Sequence, residues 1–324
     1  MNAPDSKDSW QYRELNTRAP SLSVLSDTLI ELAEAGHPVA AGTADLQHSN
    51  GLVGFARKFP ERFVQFGISE QNMVSAAAGI ATTGMIPYVA TFASFLGLLA
   101  CEQIRMDVAY CAQPVRLIGH HTGISLGFYG TSHHATEDIS TTRAIADLTV
   151  ISPADGAQFA QLLRESATYE EPIYFRIGRG HDPAVYDSQE PFKIGKAKTH
   201  AIGKDVTIIA CGYCVHGAKA AMKTLNAKGH SVGLIDMHTV KPLDEEAVLK
   251  AAKASKVILT VEEHNILGGL GSAVAEVLAE NPAKARLKRH GIMDEYALIA
   301  PPTHLYRHYK LDAAGIEDVA ASLL

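Results

Sequence analysis

The sequence of 324 residues is poor in cysteine, lacks long apolar runs and carries no excess of basic charge. Its four cysteines are too few, in so long a chain, to make a disulfide framework. No apolar run approaches the roughly 18 residues of a membrane span, and the longest candidate, around Phe95 to Ala100, falls far short. With 29 Lys and Arg against 35 Asp and Glu, the formal net charge is −6. That balance argues against sequence-independent nucleic-acid binding, which needs clustered cations to displace counterions. The opening MNAPDSKDSW has no apolar leader core, so a cytoplasmic location is expected. What the chain does have is 47% hydrophobic and 20% charged residues, unlike the signature of disorder. At roughly 100–200 residues per domain, this length predicts two domains with sizeable cores.

Short β-branched runs alternate with longer stretches at helical spacing. Strands are predicted at Pro38–Ala41, Phe63–Phe66, Ile86–Thr91, Val115–Gly119, Leu148–Ile151 and Ile173–Ile177, then at Val206–Ala210, Val232–Asp236 and Val257–Val261. Runs such as Val206–Ala210 are almost continuously apolar, as in a parallel strand covered on both faces. The segments between are long enough for crossover helices. The expected class is α/β, with two domains, each a mainly parallel sheet flanked by helices. They divide at 1–185 and 186–324, and an aperiodic linker rich in Gly, Pro and polar residues covers about 180–196. Ser152-Pro153-Ala154-Asp155 predicts a helix start with Ser152 as cap, Pro153 in the first turn and Asp155 at the positive dipole end. Phe159, Leu162 and Leu163 supply that helix's apolar side.

The most informative segment runs from Phe63 to Met73. A strand ends at Phe66, Gly67 permits a turn, and Ser69 is placed to cap a helix reaching about Thr82. That helix is apolar on nearly every face and should be buried. Glu70 therefore sits at its mouth, beyond the carboxyl end of a strand, where open α/β sheets place ligands. Position alone equally suits a surface glutamate resting on the helix dipole.

Four further stretches accompany Gly67-Ile68-Ser69-Glu70-Gln71-Asn72-Met73 in a fixed order. They are Asn16-Thr17-Arg18-Ala19-Pro20-Ser21, Gly42-Thr43-Ala44-Asp45-Leu46-Gln47-His48-Ser49-Asn50, Thr91-Phe92-Ala93-Ser94-Phe95 and Glu262 through Gly271. Together they resemble transketolases across nearly the whole chain, as a pyrimidine-binding domain followed by a transketolase C-terminal domain. The resemblance implies that Glu70 hydrogen-bonds the aminopyrimidine ring of thiamine diphosphate and promotes ionisation of the cofactor. It implies that Phe92 and Phe95 hold that ring, a role suited to offset stacking. Leu98 stands at a third, usually aromatic, position, and Asp45 and Leu46 border the same cofactor. The loop after Gly119 then lines a substrate funnel. There His121 contacts the substrate's hydroxyl or phosphate end, and His133 assists proton transfer, a task for an imidazole titrating near neutrality. His48 adds a polar contact, while Arg18, Ser49, His121 and Arg179 are the phosphate candidates. Arg176 is the alternative to Arg179, and a planar guanidinium suits phosphate oxygens.

Two departures stand out. Tyr129 occupies a place where transketolases usually carry an Asp that reads a sugar hydroxyl. A non-standard ketose donor such as apulose 4-phosphate is therefore expected. No Gly-Asp-Gly, the family's diphosphate and Mg²⁺ motif, occurs anywhere in the chain. The expectation is the C-terminal subunit of a split transketolase, whose N-terminal partner holds the diphosphate and Mg²⁺ (or Ca²⁺). An α2β2 heterotetramer would follow, and the chain alone would be inactive. The beta subunit of a 2-oxoacid dehydrogenase and a deoxyxylulose-phosphate-synthase-like enzyme share this architecture. The phosphate candidates and the His121/His133 loop favour the transketolase. A non-catalytic partner subunit is the remaining alternative, opposed by the presence of Glu70. No metal site is expected among the histidines from His120 to His134, because adjacent histidines rarely share one ion and no HExxH pair is present. Cys211-Gly212-Tyr213-Cys214 lacks a thioredoxin-sized unit around it, and Gly268-Gly269-Leu270-Gly271 reads as a tight turn before a helix from Ser272.

Overall fold

The computed structural model describes residues 20–179, 182–187 and 190–324. All nine predicted strands form. Strands β1 (Val39–Thr43), β2 (Phe63–Gln65), β3 (Ile86–Phe92), β4 (Arg116–His120), β5 (Thr149–Ile151) and β6 (Ile173–Ile177) lie parallel in one sheet. Its order is β10-β5-β6-β4-β3-β1-β2, where β10 spans Thr239–Lys241. Strands β7 (Lys198–Ala201), β8 (Val206–Ala210), β9 (Val232–Asp236), β11 (Val257–Asn265) and β12 (Arg286–Ile292) make a second sheet in the order β12-β11-β8-β9-β7. Every residue of β1, β4, β6, β8 and β9 is buried, in keeping with their apolar runs.

Three strands escape the apolar-run criterion: β7, β12 and β10 (Thr239–Lys241). All three lie at sheet edges, where one side faces water and charged or β-branched polar residues are accommodated. The β7 burial alternates between half-buried and exposed, and β12 reads RLKRHGI. Strand β10 has a further consequence. It lies well past the expected boundary at 185/186, yet it pairs antiparallel with β5 and closes one edge of the first sheet.

Helix α1 (Pro20–Glu34) packs on the first sheet, followed by α2 (Val53–Lys58) and α3 (Glu70–Ala81). Ser69 occupies the N-cap position of α3 without a capping side-chain bond. The helix buries Met73, Val74, Ala77, Ala78 and Ala81 but leaves Gln71, Asn72 and Gly79 exposed. It is thus one-sided rather than enclosed, because small residues on its remaining faces let it lie at the surface. Helix α4 (Asp138–Ala144) precedes β5, and α5 (Gly156–Ser166) follows it. The cap of α5 is Asp155 and not Ser152: its Oδ1 accepts from Gln158 N at 2.9 Å. Its Oδ2 also takes the Val185 and Tyr186 amides at 2.7 and 2.8 Å, fastening the connecting segment. Phe159, Leu162 and Leu163 are buried as expected.

In the second half, α6 (Cys214–Ala227), α7 (Glu245–Ala254), α8 (Leu270–Glu280), α9 (Pro302–His308) and α10 (Ala313–Ala321) surround the second sheet. Helix α8 begins two residues before the predicted Ser272. Glu262 reaches its first turn and accepts the Leu270 and Gly271 amides at 2.7 and 2.8 Å, a carboxylate at the positive end of a helix. A Cβ on Gly269 would lie 2.0 Å from Glu262 Oε2, so glycine is required there. One apolar cluster, including Met73, Leu96, Ile104 and Leu117 with Ile209, Ile235 and Ile258, runs between the sheets.

The joint beside that cluster is polar and fully engaged. Arg176 Nε lies 2.9 Å from Asp138 Oδ2, and both side chains are almost wholly buried. Arg176 Nη2 also donates to the carbonyls of Ala135 (3.0 Å) and Glu263 (2.8 Å). Burial works against this charge, but Asp138 and then Glu263 outweigh it, and the guanidinium pKa is raised. The Glu263 carboxylate accepts from Ile124 N at 2.8 Å and the Tyr306 hydroxyl at 2.6 Å. Arg176 is thus an internal strut and is corrected from phosphate candidate to joint residue. Among the described residues, no helix is long and apolar enough to cross a membrane.

Candidate functional site

Strands β1, β2, β3, β4 and β6 are parallel neighbours, so their carboxyl ends emerge at one edge of the sheet. The segment after each carries residues singled out from the sequence. After β1, the chain turns at Asp45, which adopts a left-handed conformation (φ 58°) and donates its amide to Gln65 Oε1 at 2.6 Å. Asn50 ties the end of this loop to β3, its Nδ2 donating to Thr43 Oγ1 at 2.8 Å and to the Ala90 carbonyl at 2.6 Å. Asp45, Leu46, His48 and Ser49 are thereby gathered around a recess of about 150 Å³ beside Gln65.

After β2, Glu70 opens α3 with a side chain 5% exposed. Among the described residues its one hydrogen-bond donor is the Thr91 hydroxyl on β3, at a long 3.4 Å. A buried carboxyl usually collects several partners. This one has most of its acceptor capacity unmet among the described residues. The surface reading of Glu70 is thus set aside by its burial.

Phe92, the last residue of β3, is the hub of a ring cluster. Its centroid lies 5.7 Å from Phe95, 4.7 Å from His121 and 5.5 Å from His133. Phe95 and His133 approach to 5.3 Å, and Tyr129 stacks on His133 at 4.8 Å with 27° between planes. His133 Nδ1 meets the Ser132 hydroxyl at 2.9 Å, and partial burial lowers its pKa, which keeps it neutral at neutral pH. Tyr129 is 57% exposed and Leu98 48%, so both stand at the surface of this chain. Arg179, after β6, holds its guanidinium 4.9 Å from the Phe128 ring centroid, in the same loop as Tyr129. Arg18 and the first four residues of its motif lie outside the described residues.

The structure therefore brings Phe92, Phe95, His121, Tyr129 and His133 into one cluster, with Glu70 one residue away through Thr91. Asp45, Leu46, His48 and Ser49 form a neighbouring group at the same sheet edge. One participant was missed from sequence: His120, fully buried at the end of β4, with Nδ1 2.5 Å from His121 Nδ1 and its ring 5.7 Å from Phe92. A histidine closing an apolar strand directly before a candidate residue was the available signal. Cys211 and Cys214 are both buried, and burial raises both thiol pKa values, so neither is a ready thiolate. Among the described residues no three His, Cys, Asp or Glu side chains group as a metal ion would require.

Comparison with known proteins agrees with this layout. Residues 20–183 match the transketolase pyrimidine binding domain and residues 195–316 the transketolase C-terminal domain. A putative transketolase C-terminal section from Methanocaldococcus jannaschii is 40% identical over 90% of this chain and 92% of that protein. One of the subunits of an apulose-4-phosphate transketolase from Phocaeicola vulgatus is 38% identical over 90% of this chain and 93% of its own length. A solved structure described as a split gene transketolase, inactive beta4 tetramer, superposes with a TM-score of 0.84 at 35% identity, covering 93% of this chain and 97% of that one. A parallel sheet whose carboxyl edge offers a buried, under-committed glutamate beside a phenylalanine–histidine cluster thus occurs in a chain that belongs to the transketolase family, with its pyrimidine-binding and C-terminal domains.

Proposed function

We propose that this chain supplies the pyrimidine half of a thiamine diphosphate site. In our reading it acts with an N-terminal partner to transfer a two-carbon ketol unit from a ketose phosphate to an aldose phosphate. The observation that carries this is Glu70, a buried carboxyl with a single long hydrogen bond among the described residues. Such a group fits an aminopyrimidine, whose ring nitrogen needs a partner able to hold a proton, and the rings of Phe92 and Phe95 fit its flat faces. Bound there, thiamine diphosphate supplies the carbon nucleophile of the reaction. Glu70 holds the proton at the pyrimidine nitrogen. His133, neutral and propped by Ser132, takes and returns a proton at the donor's oxygens. Asp45, Leu46 and Leu98 border the cofactor. Ser49, His48, His121, Arg18 and Arg179 receive the phosphorylated substrate, a charge-assisted contact that arginine provides in fork geometry.

The diphosphate and Mg²⁺ (or Ca²⁺) belong to the partner in this reading, since the chain has no Gly-Asp-Gly. An α2β2 assembly in the cytoplasm is the arrangement we favour. That a similar structure is described as an inactive tetramer of β subunits supports partner dependence. Tyr129 on His133, in place of a carboxylate, supports a donor other than the usual ketose phosphates. The Phocaeicola vulgatus relative makes apulose 4-phosphate the first to try.

The test is reconstitution with an N-terminal transketolase subunit that carries Gly-Asp-Gly. We expect turnover of apulose 4-phosphate to exceed that of xylulose 5-phosphate. E70Q and E70A should lower kcat by about 10²-fold or more, the usual loss for a positioned acid–base group. Full activity in E70A would instead favour a non-catalytic subunit, and equal turnover of both sugars would defeat the donor assignment.

A further inference from the structure

The loop between β4 and α4 carries Tyr129 and His133, yet it rests on the other domain. Its two ends close into a neck, where Gly123 and Ala135 exchange amide-to-carbonyl hydrogen bonds at 3.0 Å each way. That neck stands on the carboxyl end of β11. Glu263 Oε1 accepts the Ile124 amide at 2.8 Å, and the Asn265 amide donates to the Thr136 carbonyl at 2.8 Å. Gly123 adopts a left-handed conformation (φ 55°), and a Cβ there would lie 2.2 Å from the Glu263 carboxyl carbon. Glycine thus lets the neck sit flush against the carboxylate.

The body of the loop lies on the same domain. Ile124 is wholly buried in the apolar cluster of the second sheet, with Val261, Leu305 and Tyr306. A Cβ on Gly127 would fall 2.4 Å from the Ala300 carbonyl oxygen, and one on Gly130 would fall 2.8 Å from Ile299 Cδ1. The residues on the cofactor side have other supports: Glu70 reaches Thr91 of β3, and Asp45 reaches Gln65 of β2. Glu263 is itself held from α9, where the Tyr306 hydroxyl donates to the same Oε1 at 2.6 Å. One oxygen, fixed from α9, therefore sets the height at which the loop leaves its neck.

We propose that the C-terminal domain is the seat of the substrate loop, with Glu263 as the positioning residue that sets where Tyr129 and His133 stand against Phe92. The ring contacts of that cluster, 5.5 Å from His133 to Phe92 and 4.8 Å from Tyr129 to His133, change with any shift of the neck. A misplacement of about 1 Å at a reacting group costs about 10²-fold in rate. The substrate role rests on the transketolase reading above, whereas the seat does not.

Amide hydrogen exchange of the full chain tests the seat. The Ile124 amide should exchange slowly in the wild type, as amides of the core strands do. E263A should speed it about tenfold or more, the worth of a hydrogen bond to a charged group. The β3 amides should keep their wild-type rates, which a general loss of stability would not allow. E263Q keeps a carbonyl oxygen for both donors and should preserve the protection. Should E263A not fold, E263D, which withdraws the acceptor by one methylene, takes its place. Fast exchange of Ile124 in the wild type, or a rate unchanged by the variant, overturns the proposal. In the reconstituted enzyme, E263A should raise KM for the ketose phosphate and lower kcat/KM about 10²-fold. Half-saturation by thiamine diphosphate should stay unchanged, and E263Q should stay close to wild type. Unchanged kinetics in E263A, equal losses in E263A and E263Q, or an equal loss of cofactor affinity overturns the substrate role. Failure of the transketolase reading shows differently, as a wild-type complex without turnover.

Discussion

Two buried polar regions of this protein use the same residue types to opposite ends. At the joint, Glu262 takes two helix amides, Glu263 takes an amide and a phenol, and Arg176 divides its guanidinium among Asp138 and two carbonyls. At the sheet edge, among the described residues, Glu70 has one long hydrogen bond and His120 Nε2 has none. Burial of a polar group is tolerable when its hydrogen bonds are met inside the chain. Where they are met, the group is architecture. Where they are not, the capacity stays open, and in the proposed function that of Glu70 serves the cofactor. Burial alone would have ranked all three glutamates together; counting their partners separates them.

The contrast can be broken most forcefully at the joint. R176M would leave Asp138 buried beside Tyr174 with no cation, and we expect a loss of about 3–5 kcal/mol in urea unfolding, as for other broken buried pairs. A loss under about 1 kcal/mol would deny the joint its structural role.

A second, smaller effect concerns His120. Its folded pKa of about 3 lies below the unfolded value of 6.5, so its contribution is fully present above about pH 6.5 and is lost as pH falls toward 3. The stability difference between wild type and H120N should therefore shrink by about 1.4 kcal/mol between roughly pH 7.5 and 5.5, the equivalent of one proton over one pH unit. A difference that stays flat would mean that His120 ionises freely. The buried glutamates act in the other direction. Burial raises Glu262 and Glu263 to about 7, so their contribution is greatest below about pH 4.5 and declines as pH rises through 7. Comparing two variants at each pH cancels that background.

The smallest expected effect belongs to Glu70. E70Q should shift unfolding by less than about 1 kcal/mol, because among the described residues a single long hydrogen bond is altered, although catalysis in the complex should fall about 10²-fold. A large destabilisation would move Glu70 from the ligand side of the comparison to the architectural side.

Central strands were legible because runs such as Val206–Ala210 are almost continuously apolar, as burial on both faces requires. The edge strands β7, β10 and β12 were not, since Lys198, Lys241 and Arg286 are at home beside water. Asp155 displaced Ser152 as the helix cap because its second oxygen serves amides some 30 residues away, which local sequence does not display. Arg176 was misread for a similar reason: its partners lie 38 and 87 residues distant. The site's residues follow successive parallel strands, so motif order in the chain becomes proximity at one edge.

Strand β10 joins the two halves in a way that bears on any attempt to divide them. Scission at 185/186 would peel a hydrogen-bonded ribbon from β5 and bare the backbone of that strand. Exposed ladders of this kind recruit other chains. The severed pieces would therefore either find each other again or precipitate, and the polypeptide is best regarded as stitched rather than merely strung together.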